Sequence, residues 1–175
     1  MPRPKQPQHY YDDIKAKFRD ARNLRLGYRP PGTDQFISEL SGDLAKYAVD
    51  PYATDVPDRA PITDEVEVLF IGGGFSALLT SARLRERGIK GVRIVERGSD
   101  VGGTWYWNRY PGAACDVVSY DYLPLLDELD YVPVNHYSRG PEIFGHCQAI
   151  AHKYNLYDLA VFNTTVTETR WDETD

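Results

Sequence analysis

The residues best suited to chemistry sit in the stretch VLFIGGGFSALLTSARLRERG, from Val68 to Gly88, and in one acid further on. Its spacing is Gly72-x-Gly74-x-x-Ala77, between an apolar run and a helical pattern. Gly72 lets the chain turn sharply off a strand. Gly74, without a Cβ, lets a pyrophosphate approach the backbone. Ala77 is small enough for the following helix to pack close to a sheet. The N–H groups and dipole at that helix start favour phosphate charge. Glu96 ends the next apolar run, where a carboxylate accepts hydrogen bonds from both hydroxyls of an adenosine ribose and repels a 2′-phosphate. The pattern therefore points to a dinucleotide, FAD or NAD in preference to NADP, with the choice between those two open. The alternative, a ligand-free glycine turn with Glu96 as an ordinary surface acid, fits the order of strand, loop, helix, strand and acid less well.

The elements that must hold these residues follow from periodicity. VEVLFI, from Val66 to Ile71, is apolar and β-branched, as in a buried parallel strand. Phe75–Arg87 reads as a helix stopped by Gly88, and VRIVE at 92–96 as a second strand. Together they form a βαβ unit with a right-handed crossover and parallel strands. Pro141 opens a helix to about Tyr154, with Ile143, Cys147, Ile150 and Tyr154 inward and Asn155 as its C-terminal cap. Residues 97–138 are rich in Gly, Pro, Tyr and Trp and show little period. VFNTTVTETRW, from Val161, favours an extended chain.

Upstream, Tyr11, Ile14, Phe18, Ala21 and Leu24 recur at spacings of three and four, which predicts an amphipathic helix from Tyr10 to Leu26. Asp12 and Asp13 fall in its predicted first turn, Arg22 and Arg25 near its end and Gly27 just past it. A second helix is predicted from Asp34 to Ala48, followed by the proline-rich connector DPYATDVPDRAPITD. The expected fold class is α/β. An N-terminal helical extension and linker occupy 1–63, and a partial Rossmann-like domain occupies 64–175.

Composition narrows the function classes. With 42% hydrophobic and 26% charged residues, the chain can bury a core. A net charge of −6 argues against a nucleic-acid surface. No apolar run is long enough to span a membrane, and MPRPKQPQHYYDD has no signal-peptide core. Cys115 and Cys147 make no disulfide framework, so a reducing, cytoplasmic setting is expected. No histidine spacing suggests a metal: His146 and His152 are six apart and off one face of their helix.

From Glu96 the chain continues ERGSDVGGTWYWNRYPGAACDVVSYDYLPLLDEL, and from Phe162 it reads FNTTVTETRWDE. With GGGFSAL at 72–78, these segments resemble the Baeyer–Villiger type of flavin monooxygenase, a class that uses FAD and NADPH. The resemblance covers roughly 64–173. It implies that Gly72, Gly74 and Glu96 hold the ADP half of FAD. Gly103, Thr104, Trp105, Tyr106 and Trp107 would line the flavin side, Asp116 and Val117 would contact the flavin, and Tyr122 would pack nearby. Ala114, Cys115 and Asp116 would touch NADP, with Asp116 the residue nearest the chemistry, and the backbone at Val166 would meet the adenine. Many members carry Arg where this chain has Ala114, which puts one local contact in question.

The residues have their own plain readings. Glycines 102 and 103 permit close approach of a large planar ligand. Trp105 and Trp107 offer flat apolar surface that excludes water, or simply fill a core. Asp116 is equally suited to a turn, and Cys115 to a small buried apolar site. Arg109 is read as pairing with a phosphate or with Asp116, or as a solvated loop cation.

In the family the flavin domain continues with more strands, a second glycine loop for NADP, a fingerprint around a His and Trp-Pro, and an active-site arginine. None occurs in these 175 residues. The expectation is the front part of a ketone-oxidising enzyme, binding FAD weakly and inactive alone, with a complementary polypeptide or a second copy completing it. The alternatives are a non-catalytic flavin-binding module and a flavin N- or S-oxygenase.

Overall fold

The computed structural model describes residues 8–25, 42, 45, 49–53 and 58–172. The chain divides into two compact units, Met1–Val49 and Asp50–Asp175.

In the first unit, helix α1 spans Gln8–Arg25. It starts earlier than its periodicity suggests, so Asp12 and Asp13 lie beyond the first turn. Tyr11 and Phe18, two residues of its predicted apolar face, are exposed, while Ile14 is half-buried. Most of the helix predicted over 34–48 lies outside the described residues.

The second unit is built on a parallel three-stranded sheet in the order β1-β2-β3. Strand β1 is Val68–Ile71, β2 is Val92–Val95 and β3 is Ala160–Val161. β1 and β2 pair Val68 with Val92 through Ile71 with Val95, and helix α2, Phe75–Glu86, makes the crossover between them. The expected βαβ unit is therefore present. β3 is only two residues long, and the rest of the segment predicted as extended forms no strand among the described residues.

Three single-turn helices punctuate the aperiodic stretch: α3 Thr104–Trp107, α4 Ser119–Tyr122 and α5 Leu126–Leu129. Helix α6, Gly140–Lys153, begins with Pro141 in its first turn, where a missing N–H is harmless. Past its end Asn155 takes a φ of 51°, the left-handed conformation expected of a cap.

One face of the sheet carries the core. Leu78, Ala82, Ile94, Cys147, Ile150 and Leu156 interlock between the sheet, α2 and α6. Ala77 is buried in the same cluster, so the small residue of the glycine motif does bring α2 close to the sheet. The core face of α6 also includes His146, 4% exposed, beside the predicted inward residues Ile143, Cys147 and Ile150. Periodicity alone did not place it because its ring is tolerated inside only through one bond, Nε2–H to the Pro124 carbonyl at 2.7 Å. No helix among the described residues is long and apolar enough to cross a membrane.

Candidate functional site

The site forms at the C-terminal ends of β1 and β2. β1 stops at Ile71, and Gly72 turns the chain at a φ of 100°, a conformation that favours glycine. Its N–H remains in the ladder, donating to Val95 O at 2.8 Å. α2 then begins at Phe75. The N–H groups of a helix's first turn have no partner within the helix, and Gly74, Phe75 and Ser76 line a groove of about 420 Å³.

The opposite wall is the 98–107 loop. Gly102 N–H donates to Gly73 O at 2.9 Å, tying the two glycine segments together. Gly103 has φ +52°, and a Cβ there would lie 2.9 Å from Gly74 Cα. The second glycine of the motif thus faces the backbone of Gly103. Thr104, Trp105 and Tyr122 complete the wall. Trp105 Nε1–H donates to the Tyr122 hydroxyl at 2.8 Å, and Phe75 meets the Tyr122 ring edge-on at 5.6 Å. Burial raises the Tyr122 phenol pKa; the Trp105 bond opposes the rise, and the charge of Asp116 adds to it.

Glu96 stands behind the groove, not on its wall. It is 4% exposed. Its Oε2 accepts the Gly73 N–H at 2.5 Å and its Oε1 the Gly98 N–H at 2.6 Å. The carboxylate therefore clamps the glycine loop to the loop after β2, which satisfies a buried charge with two charge-assisted bonds. Thr164 N–H donates to Glu96 O at 3.0 Å, and half-buried Val166 lies two residues beyond that bond.

The structure thus brings Gly72, Gly74, Ala77, Gly103, Thr104, Trp105 and Tyr122 around one groove. Tyr106 and Trp107 lie elsewhere. Tyr106 is buried, its hydroxyl bonded to Asp50 and Ser99, while half-buried Trp107 meets the Tyr106 ring edge-on and carries Arg97 on its face. Ala114 is exposed and bridges to Arg139; Asp116 and Val117 are exposed. Cys115 is buried with Trp105, Leu123 and Ile143, the small apolar role open to it in the sequence.

Arg109 is an exposed loop cation, as one of its two readings had it, but it is not simply solvated. Its guanidinium lies 4.1 Å from the Tyr52 ring centroid and 4.5 Å from those of Tyr106 and Phe144, with Nε–H donating to Tyr106 O. Ring faces attract a cation, and sequence spacing cannot show three rings converging. Asp50 was also missed. It accepts from Tyr106, Tyr52 and Ser99, yet sits in a proline-rich connector that carries no motif.

Comparison with known proteins agrees with this geometry. A family model described as an NAD(P)-binding Rossmann-like domain matches residues 71–126. Pentalenolactone D synthase of Streptomyces arenae is 50% identical over 161 residues, 91% of this chain and 26% of that protein. A Baeyer-Villiger monooxygenase of Streptomyces coelicolor is 45% identical over 161 residues, 92% of this chain and 26% of its own length. The chain belongs to the Baeyer–Villiger monooxygenase family. It spans about a quarter of the length of these curated relatives.

Solved Baeyer–Villiger folds superpose on it. The polycyclic ketone monooxygenase of Thermothelomyces thermophila matches with TM-score 0.69 and 33% identity, over 93% of this chain and 28% of that one. OTEMO in complex with FAD and NADP matches with TM-score 0.59 and 32% identity, over 63% of this chain and 21% of that one.

Proposed function

We propose that this chain supplies the flavin-binding part of an FAD- and NADPH-dependent Baeyer–Villiger monooxygenase that converts a ketone to an ester or lactone. The observation that carries this is the groove in which Gly74 and Gly103 meet backbone to backbone at the start of α2. A diphosphate fits there because helix N–H groups and the helix dipole favour its charge. The missing Cβ atoms leave the backbone bare on both walls. Glu96, behind the groove, holds the Gly73 and Gly98 N–H groups, and its remaining lone pairs, about two of four, would serve only a ribose hydroxyl that reaches past Gly73. Val166 flanks the adenine end. FAD, when bound, would supply the redox and oxygen-activating chemistry.

The chain's own residues then orient and shield. Phe75, Trp105 and Tyr122 form an apolar wall beside Thr104 that keeps water from the groove. Asp116 and Val117 would contact the flavin, Ala114, Cys115 and Asp116 would touch NADP, and Asp116 is the candidate acid nearest the chemistry. Two cysteines left as free thiols suit a reducing, cytoplasmic location. A complementary polypeptide or a second copy would complete the site. Among oxygenase classes, GGTWYWNRYPGAACD favours ketone oxidation over N- or S-oxygenation.

The test is titration of the purified chain with FAD, followed by flavin fluorescence and absorbance. Saturable binding that Gly103→Ala abolishes is expected. Binding of NAD in preference to FAD, or equal FAD uptake by that variant, would refute the proposal.

A further inference from the structure

Asp50 lies outside every motif and does not line the groove, but its carboxylate is bonded to the loop that does. Oδ2 accepts the Tyr106 O–H at 2.5 Å and both the N–H and the hydroxyl of Ser99 at 3.1 Å. Oδ1 accepts the Tyr52 N–H at 2.9 Å. Tyr106 in turn accepts the Ser99 N–H at 3.0 Å, and its own N–H donates to Gly103 O at 3.0 Å. Its ring fills the space over Gly98, where a Cβ would come within 2.6 Å of it.

One side chain therefore spans the 98–107 loop from its first residue to the turn that carries Thr104, and Asp50 grips that side chain by its hydroxyl. Tyr52 closes the assembly, edge-on to Tyr106 at 5.7 Å and beneath the Arg109 guanidinium. Merely anchoring a connector needs one such bond; a carboxylate that meets Tyr106, Ser99 and Tyr52 together does more.

We infer that Asp50 is a positioning residue for the dinucleotide groove: through Tyr106 and Ser99 it holds the 98–107 loop so that Gly103 and Thr104 face the β1–α2 turn. Its ligand arm rests on the FAD reading above; its structural arm does not. Asp50 touches no ligand in this scheme. It fixes the wall before a ligand arrives, which spares the ligand the ordering cost.

The test uses the full chain as wild type, Asp50→Ala, Asp50→Asn, Tyr106→Phe and the Asp50→Ala/Tyr106→Phe pair. Hydrogen exchange of the ligand-free proteins and FAD affinity are both measured. In Asp50→Ala, amides of 98–107 are expected to exchange roughly tenfold faster, with those of α6 unchanged, and FAD to bind about tenfold more weakly, the scale of one charge-assisted hydrogen bond. The losses in the double variant should be less than additive, because Asp50 and Tyr106 act largely through one shared bond. Asp50→Asn, which keeps an acceptor, should recover most of the loss. Unchanged protection of 98–107, a uniform loss of protection through α6, or additive losses in the pair would overturn the inference. Wild-type chain that takes up no FAD would instead overturn the functional reading, and the exchange of 98–107 in Asp50→Ala would still decide the brace.

Discussion

Gly103 is the residue at which the least change should do the most harm. A methyl group there meets the Gly74 backbone at 2.9 Å and sits on a left-handed residue, so neither neighbour can yield cheaply. Gly103→Ala is expected to cost about 1–3 kcal/mol in addition to closing the groove, read as a lower urea midpoint. Cys147 is the opposite case. It is fully buried, and burial pushes its thiol up to about 12. It should therefore stay silent to a thiol reagent in the folded chain and react only as urea unfolds it. His146 sets a pH dependence. Burial lowers its pKa from 6.5, outweighing the Pro124 carbonyl and the Glu142 charge. Below the ordinary histidine pKa the unfolded chain then binds more protons than the folded one, so stability present above that pH is lost as pH falls through the lowered value. His146→Gln, which keeps a donor for Pro124 O, should remove this part of the slope when urea midpoints are compared at about pH 7.5 and about pH 5.5.

Regular elements were legible because they repeat. The β-branched runs, the glycine turn and the helical rhythm of 143, 147 and 150 each announce themselves, and β1, α2, β2 and α6 stand within two residues of expectation. The stretch 97–138 was not legible because single-turn helices have no period to display. Their junctions also break local preference. Leu125 takes a φ of 62°. That left-handed conformation costs an ordinary residue about 1–2 kcal/mol. Leu125 is held in it because its side chain is buried in the main core. What secures this stretch is a contact at long range. Glu142, on α6, accepts Val134 N–H, the Tyr131 hydroxyl and Asn135 Nδ2. Burial pulls the Glu142 pKa up, but these bonds outweigh it and leave the carboxyl lowered, while burial and the same acid push the Tyr131 phenol up to about 12. Glu142→Ala should destabilise the chain by about 1–2 kcal/mol and release the 131–138 loop to proteolysis, with the βαβ unit intact. The groove was readable as two glycine motifs. That they face each other, and that Glu96 stands behind them, was not, since spacing along a chain says nothing of which wall a residue joins.

At the scale of the molecule, one face of β1 stays open among the described residues. Leu69 and Ile71 alternate with half-buried positions along β1 and remain 50% and 63% exposed. β1 is also the sheet's edge, with no strand beyond it among the described residues. An apolar, unpaired edge is a template for association. The isolated chain is therefore expected to self-associate at high concentration. Ile71→Lys should lower the apparent mass in light scattering without lowering the urea midpoint, because that side chain is largely in water and little packing is lost.

The double grip of Glu96 bears on how fast a nucleotide could be recognised. A glutamate on an open surface samples many rotamers and surrenders that freedom each time it captures a sugar. Glu96 has already surrendered it, since the folded backbone holds each oxygen in place. Under the proposed function, the ribose would dock on an immobile acceptor, and a tug on that acceptor would be felt at once by Gly73 and Gly98, on separate loops.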